Sequence, residues 1–185
     1  MVWHALDGGY FMIKHVRINQ DNLNYALQIS KEIFGNTDCR QDYVDFINGE
    51  NSKSYFLIYD GDNCIGVSGI NHFGQDYTNA WLSWFGILPK LRRTELGSNA
   101  LRLIDETARD LGFRCMRCIV SDDKIYEGSQ SFFKCNGYQR EDYRTQKDPQ
   151  SMRKNYYIFS KNLYPEPIDP WNNRTLNVGQ MLRGR

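Results

Sequence analysis

Residues 80–121, "AWLSWFGILPKLRRTELGSNALRLIDETARDLGFRCMRCIVS", limit the possible folds more than any other part of the chain. The first nine are apolar on both sides of a strand, with Trp81, Ser83, Phe85 and Ile87 on one and Leu82, Trp84 and Gly86 on the other. A strand of that kind is covered by other structure on both faces. Pro89 ends it. Further on, Ala100, Leu101, Ile104, Ala108 and Leu111 recur at helical spacing, Arg102, Asp105, Glu106 and Arg109 fall largely outside that stripe, and Gly112 is a good stop. "FRCMRCIVS" reads as a second strand. A strand, a loop, a helix and a strand in this order make a right-handed crossover between parallel strands, which predicts an α/β fold.

The flanks fit that reading. "MIKHVRI" (12–18) predicts a strand and "NQDNLNYALQISKEIFG" (19–35) a helix. In the helix Leu23, Ala26, Leu27, Ser30, Ile33 and Phe34 form the stripe, Asp21 caps the start and Gly35 stops it. "CRQDYVDFING" (39–49) is a weaker helix with Tyr43, Val44, Phe46 and Ile47 as its apolar side. Residues 54–73 predict a hairpin around Asp60-Gly61, because such a turn needs positive φ. A short helix over 128–136 and strands over 138–146 and 155–164 follow. The domain is expected over 12–164, with an ill-ordered leader at 1–11. Pro165, Pro167 and Pro170 break the pattern, so 165–185 is expected to be an extended tail docked on the domain or on a second copy in a homodimer.

Charge and cysteine content narrow the function. Lys and Arg number 23 against 22 for Asp and Glu, a net charge of +1 that argues against a general nucleic-acid binder. No run reaches the roughly 18 apolar residues of a membrane-spanning helix, and the first residues lack the pattern of a signal peptide. The expectation is a cytoplasmic protein. Five cysteines, an odd number at irregular spacing, suit reduced thiols. Cys115 and Cys118 form C-x-x-C, but on a strand such residues face opposite ways. The three His, at 4, 15 and 72, have no ligand spacing, so no metal is expected.

The loop "LPKLRRTELGSN" (88–99) carries the local charge. A helix start offers backbone N–H groups without partners and about half a positive charge, which together favour a phosphate. Lys90, Arg92, Arg93 and Arg102 surround this one, and Gly97 allows close backbone approach. Glu95 stands inside the cradle. A carboxylate about 5 Å from one phosphate charge costs roughly 3 kcal/mol at an effective dielectric near 20, or about a hundredfold in affinity. A backbone cradle asks only for the N–H of residue 95, and the side chain is free to turn outward.

With "SQSFFKCNGYQREDY" following at 129, the order of these segments resembles the GNAT superfamily of acyl-CoA-dependent N-acetyltransferases. The resemblance covers 12–164 in element order and is specific over 80–143. It implies a mixed, splayed central sheet flanked by helices, with acetyl-CoA as co-substrate and an amine acceptor, a small molecule or a peptide. Arg92 stands at the Gln/Arg position of the family's loop and Gly97 at its last Gly. By resemblance, the backbone of Arg92, Arg93, Thr94, Glu95, Leu96, Gly97 and Ser98 faces the CoA pyrophosphate, and that of Phe85, Ile87 and Leu88 the pantetheine arm. Gly137-Tyr138 takes the place of the closing Gly-Phe.

Three residues depart from the pattern. Glu95 replaces a Gly, Tyr126 stands at the Asn that contacts pantetheine, and Phe133 replaces the Tyr that commonly protonates the leaving thiolate. Tyr126, Ser131 and Tyr138 are the hydroxyls near enough in sequence to replace it, and Tyr126 is the single catalytic candidate. No acid lies on the central strand, which leaves Asp76, Glu141 and Asp142 as candidate bases or as surface charges. Trp81 and Trp84, with Tyr77 and Phe85, are candidates to line an acceptor pocket by cation–π contact, or to be core. A CoA-binding module without transfer, or an interaction protein of the same fold, accounts for the same departures.

Overall fold

A computed structural model describes residues 12–73, 76, 78–147 and 155–176. The leader and residues 177–185 of the tail lie outside them, as does Tyr77. Among the described residues seven strands form one mixed sheet in the order β1-β2-β3-β4-β5-β7-β6. They are β1 (Ile13–Arg17), β2 (Lys53–Asp60), β3 (Asn63–Asn71), β4 (Asn79–Ile87), β5 (Cys115–Ser121), β6 (Gln139–Tyr143) and β7 (Tyr156–Asn162). The helices are α1 (Leu23–Phe34), α2 (Arg40–Ile47), α3 (Leu96–Asp110) and α4 (Glu127–Cys135). Among these strands β4 and β5 are the one parallel pair, joined through α3 as the crossover pattern requires. The β2–β3 hairpin turns at Gly61, with φ of 58° and Asp60 opposite Asn63.

Helix α3 covers one face of the sheet from two sides of its own surface. Leu101, Ile104 and Ala108 pack with Leu82, Met116, Cys118, Val120 and Phe159, while Leu96, Ala100 and Leu103 pack with Ile13, Ile58, Ile65 and Ile87. Leu101 and Ile104 are fully buried, each contributing about 1.5–3 kcal/mol of apolar transfer. Phe133 of α4 completes this layer. On the opposite face α1 and α2 cover the β2–β4 half: Leu23, Ala26, Ile29, Tyr43 and Phe46 pack on Tyr55, Leu57, Val67 and Trp84. The β5–β7–β6 half of that face is covered by the chain after β7, through Trp171 and Leu176 on Ile119, Tyr143, Tyr156 and Ile158.

Four local expectations are corrected. Helix α1 begins with Asn22, not Asp21, as its cap residue, because Asn19 and Asn22 close the preceding turn on each other. Leu111 is 56% exposed, since α3 ends at Asp110 and the chain turns away at Gly112 with φ of 91°. Asp105, placed outside the apolar stripe, is 6% exposed and accepts hydrogen bonds from Tyr138 Oη (2.6 Å) and Lys161 Nζ (2.9 Å). Burial pushes its carboxyl up, against the pull of Lys161 and Tyr138, and burial holds the Tyr138 hydroxyl well above its ordinary value. The fourth concerns the two faces of β4.

Candidate acyl-transfer site

Strands β4 and β5 pair only through Asn79–Cys115, Ala80–Met116 and Trp81–Arg117. Beyond Trp81 they part. Strand β4 stays with β3 as far as Ile87 and β5 stays with β7 as far as Ser121. The edge of β4 that faces β5 therefore has no strand partner past Trp81 among the described residues, and a fork opens in the middle of the sheet.

A bulge sits at this fork. Val67 lies opposite Gly86, but the next pair is Gly69 with Ser83, so Trp84 and Phe85 span a stretch where β3 has only Ser68. Trp84 has φ of 46°, which costs a β-carbon-bearing residue about 1–2 kcal/mol. Its side chain offsets that cost. The indole packs under α1 and α2, meets Phe34 edge-on at 5.3 Å and donates from Nε1 to Asp42 Oδ2 at 2.7 Å. Asp42 also accepts from Lys53 Nζ at 3.0 Å. The extra residue breaks the alternation expected for β4. Trp84 joins Trp81 on the α1/α2 face, whereas Phe85 and Ile87 pack on the α3 face with Leu82.

On the α3 face Phe85 packs against both core clusters, but the two clusters of the opposite face have no residue in common. Trp84 belongs to the cluster under α1 and α2, and Trp81 to the cluster under the C-terminal segment. The seam between the clusters passes between these two residues, over the fork. A cavity of about 390 Å³ is lined by Glu50, Ser52, Lys53, Asn71, His72 and Phe73. Asn71 is the register partner of Trp81, and Phe73 meets its ring at 5.8 Å.

At the far end of β4 the loop and α3 form the cradle. Arg93 has φ of 64°, bending the chain so that α3 starts at Leu96. The backbone N–H groups of Glu95, Gly97 and Ser98 find no acceptor among the described residues; that of Leu96 makes a 3.4 Å contact with Thr94 Oγ1. Thr94 Oγ1 in turn donates to Leu91 O at 2.8 Å. A side chain on Gly97 would stand 3.4 Å from Phe132 and 3.9 Å from Ile87, in the gap between α3, α4 and the end of β4. The Glu95 side chain is exposed and makes no hydrogen bond or ion pair among the described residues. Lys90 and Arg93 are exposed without ion pairs there, and Arg102 bonds Asn99 at 3.0 Å. Arg92 is used by the fold itself: Nε donates to Ile87 O (3.1 Å) and Nη2 to Ile33 O (3.2 Å), tying the end of α1 to the end of β4.

The remaining candidates separate clearly. Phe85 stacks on Phe132 with ring centroids 6.0 Å apart. Leu88 is buried and its N–H is taken by Ile65 O at 2.9 Å. Tyr126 is half-buried against the α3-side core, and Phe133 is packed between Tyr138 (5.3 Å) and Phe159 (5.7 Å). Phe132, which the sequence did not single out, is the α4 aromatic beside Gly97. Asp76 closes the turn before β4, accepting from Thr78 and Asn79; burial would raise its carboxyl, but these bonds outweigh burial and hold it below the usual range. Glu141 receives the N–H groups of Trp171 and Asn172, and Asp142 is exposed beside Arg140. Beyond the first residue of β4, which Asp76 holds, the carboxylate that bonds a β4 side chain among the described residues is Asp42, from the weaker helix, 42 positions from Trp84 in the chain.

An open fork with a bulge beside it, facing a basic helix start, is the layout of an acyl-CoA N-acyltransferase fold. Residues 23–138 match the profile of the Acetyltransferase (GNAT) family. The chain belongs to that family. Similar solved structures include a protein of Desulfovibrio desulfuricans assigned to the GNAT family (TM-score 0.67, 12% identity, 82% of this chain and 99% of that one). The ribosomal-protein-S18-alanine N-acetyltransferase of Escherichia coli aligns with TM-score 0.63 and 12% identity over 86% of this chain and 99% of that one. The spermidine/spermine N-acetyltransferase of Vibrio cholerae aligns with 0.63 and 9% over 82% and 92%. At these identities the likeness is one of fold. No curated protein matches the sequence. No helix among the described residues is long and apolar enough to cross a membrane.

Proposed function

We propose that the chain transfers an acetyl group from acetyl-CoA to the amine of a small molecule or a peptide, by direct attack in a ternary complex. The observation that carries this is the fork: three β4–β5 pairs, then an unpartnered β4 edge that leads to backbone N–H groups without acceptors at the start of α3. A pantetheine arm is an extended chain with two amides, suited to such an edge, and a pyrophosphate suits the helix start. The residues fit that substrate. Gly97 leaves the gap beside Phe132 and Ile87 open, the exposed Glu95 contributes only its backbone, and Lys90 and Arg93 keep the surroundings positive.

The amine nitrogen, once neutral, attacks the thioester carbonyl; a C–N bond forms, the C–S bond breaks, and the amine proton passes to solvent. The thiolate leaves near the thiol reference pKa of about 8.5, so the step proceeds without a poised acid, at the loss of the roughly 10²- to 10⁴-fold that general acid catalysis supplies. The packing of Phe133 in the core is consistent with that slower chemistry. The acceptor reaches the fork from the divided face, because α3 and α4 close the other. Spermidine/spermine and the alanine of ribosomal protein S18 are acceptors named for proteins of this fold. An odd number of cysteines at irregular spacing fits a reducing, cytoplasmic setting.

Thiol release from acetyl-CoA with a panel of amines is the test. Release that saturates with both substrates supports transfer. Tight acetyl-CoA binding with no release for any amine leaves a binding module, for which Phe133→Tyr is the informative variant.

A further inference from the structure

Arg92 stands in the loop that leads to the cradle, yet two carbonyls outside the cradle direct its side chain. Nε donates to Ile87 O at 3.1 Å and Nη2 to Ile33 O at 3.2 Å. Leu88 gives its N–H to Ile65 of β3, so the alternation of the strand turns the Ile87 carbonyl the other way, to the open edge of β4. Arg92 therefore closes the far end of that edge. Ile33 lies in the last turn of α1, whose carbonyls lack partners within the helix; Gly35 N–H takes that of Lys31 and Thr37 Oγ1 that of Phe34. A cation at this end also meets the negative pole of the helix.

The same turn of α1 lies directly on β4. A side chain at Gly86 would come within 2.4 Å of Ile33 and 3.1 Å of the Phe34 ring, so helix and strand meet there with no room between them. Phe34 meets Trp84 edge-on at 5.3 Å. The turn thus covers β4 from Trp84 to Gly86, beyond the last β4–β5 pair at Trp81. Toward the cradle Arg92 is held by short, hydrogen-bonded backbone: Leu91 N–H donates to Leu88 O (2.9 Å), Arg92 N–H to Pro89 O (3.3 Å) and Thr94 Oγ1 to Leu91 O (2.8 Å). One guanidinium joins the loop, the strand edge and the helix end.

We propose that Arg92 is a positioning residue for transfer and not a phosphate ligand: it locks the last turn of α1 and the open edge of β4 to the loop that takes the acetyl-CoA phosphates. This rests on the transfer reading above, in which acetyl-CoA lies along that edge. Lys90 and Arg93, exposed and without ion pairs among the described residues, carry the charge for the phosphates. The link needs an arginine. Two nitrogens in one rigid plane serve two carbonyls at once, whereas the single ammonium of a lysine keeps the charge but loses this geometry. An edge displaced by about 1 Å from its place beside the attacking amine costs up to roughly a hundredfold in rate.

The test compares wild type with Arg92→Lys. Calorimetric titration gives acetyl-CoA affinity, and thiol release at saturating acetyl-CoA and amine gives kcat, with propylamine, 1,4-diaminobutane and Ala-Ala-Ala as acceptors. The expected result is a kcat at least tenfold lower for whichever acceptor wild type turns over, with the Kd for acetyl-CoA within threefold and Tm within about 2 °C. In Arg92→Gln, read if the Lys variant does not fold, the same fall in kcat is expected. Affinity at least tenfold weaker at unchanged kcat would make Arg92 a phosphate ligand and overturn the inference, as would no change in either. Losses of kcat and affinity in step with a lower Tm would mean a structural role alone and overturn it too. If wild type binds acetyl-CoA but releases no thiol, transfer fails as a reading, and the link is judged by hydrogen exchange. There, acetyl-CoA must slow the amides of residues 31–35 at least tenfold in wild type and less than threefold in Arg92→Lys. Equal protection in both overturns the link, and so does failure of wild type to bind acetyl-CoA.

Discussion

Replacing Gly97 with Ala separates stability from ligand binding at the cradle. Gly97 lies in the first turn of α3, where Ala is the better helix former by about 0.5–1 kcal/mol. The new methyl would make an ordinary contact, 3.4 Å from the edge of Phe132, so the fold has no reason to shift. Stability is expected to hold or rise, moving Tm by about 1–3 °C. The methyl projects into the gap between α3, α4 and β4, where the extended part of acetyl-CoA would pass on its way to the helix start. Lifting the ligand off even one charge-assisted hydrogen bond costs about 1.5–3 kcal/mol, a loss of roughly 10- to 150-fold in affinity. Calorimetric titration with acetyl-CoA, beside a thermal melt without ligand, reads both quantities. An unchanged Kd in a folded variant would refute the placement of the cofactor, and a Tm that fell with the affinity would show that the gap is packed rather than open.

Glu95→Gln should improve acetyl-CoA binding by no more than about threefold, since an exposed carboxylate some 7 Å from a phosphate costs only about 0.6 kcal/mol at the dielectric of water; a hundredfold gain on titration would mean that the side chain faces the phosphate. Asp42→Ala leaves the Trp84 indole N–H without its acceptor, and chemical denaturation should show a loss of about 1–3 kcal/mol, with Asp42→Asn milder; wild-type stability in both would remove Asp42 as the support of the bulge. His15, stacked on Phe56 at 5.0 Å and set between Ser68 and Thr107, has its pKa pulled down to about 3 by burial. Below its ordinary value of about 6.5 the unfolded chain takes up the proton and the folded chain does not, so stability is lost as pH falls from there toward 3. At pH 5 the loss is at most about 2 kcal/mol, less for the ring's partial exposure; urea unfolding of wild type and His15→Gln at pH 7 and 5 should show it only in wild type, and parallel losses would contradict it.

The sequence carried the framework because the framework is periodic. The doubly apolar strand at 80, the amphipathic helix after it and Asp60-Gly61 each have a local physical cause, and the sheet follows from them. The bulge was not legible. Placing Ser83 and Trp84 against strict alternation needs a register with β3 that no local pattern encodes, and the φ of Trp84 is sustained by Asp42 from a helix whose own stripe is weak. Asp105 looked like a surface charge because its partners, Tyr138 and Lys161, come from later elements. The tail broke every periodic rule with its prolines, and only Arg117, an arginine inside an otherwise apolar strand, hinted that something polar would dock there. At Glu95 the open alternative was the side chain's direction relative to a bound phosphate; the residue is exposed.

Saturating transfer by the unmodified chain is the most direct test of the central claim. Thiol release is followed at increasing acetyl-CoA and amine, with acetyl-CoA affinity measured separately by calorimetry. The fork and cradle predict one acetyl-CoA bound per chain and amine-dependent release of one thiol per acetylated amine. No binding of acetyl-CoA would contradict the account at its root.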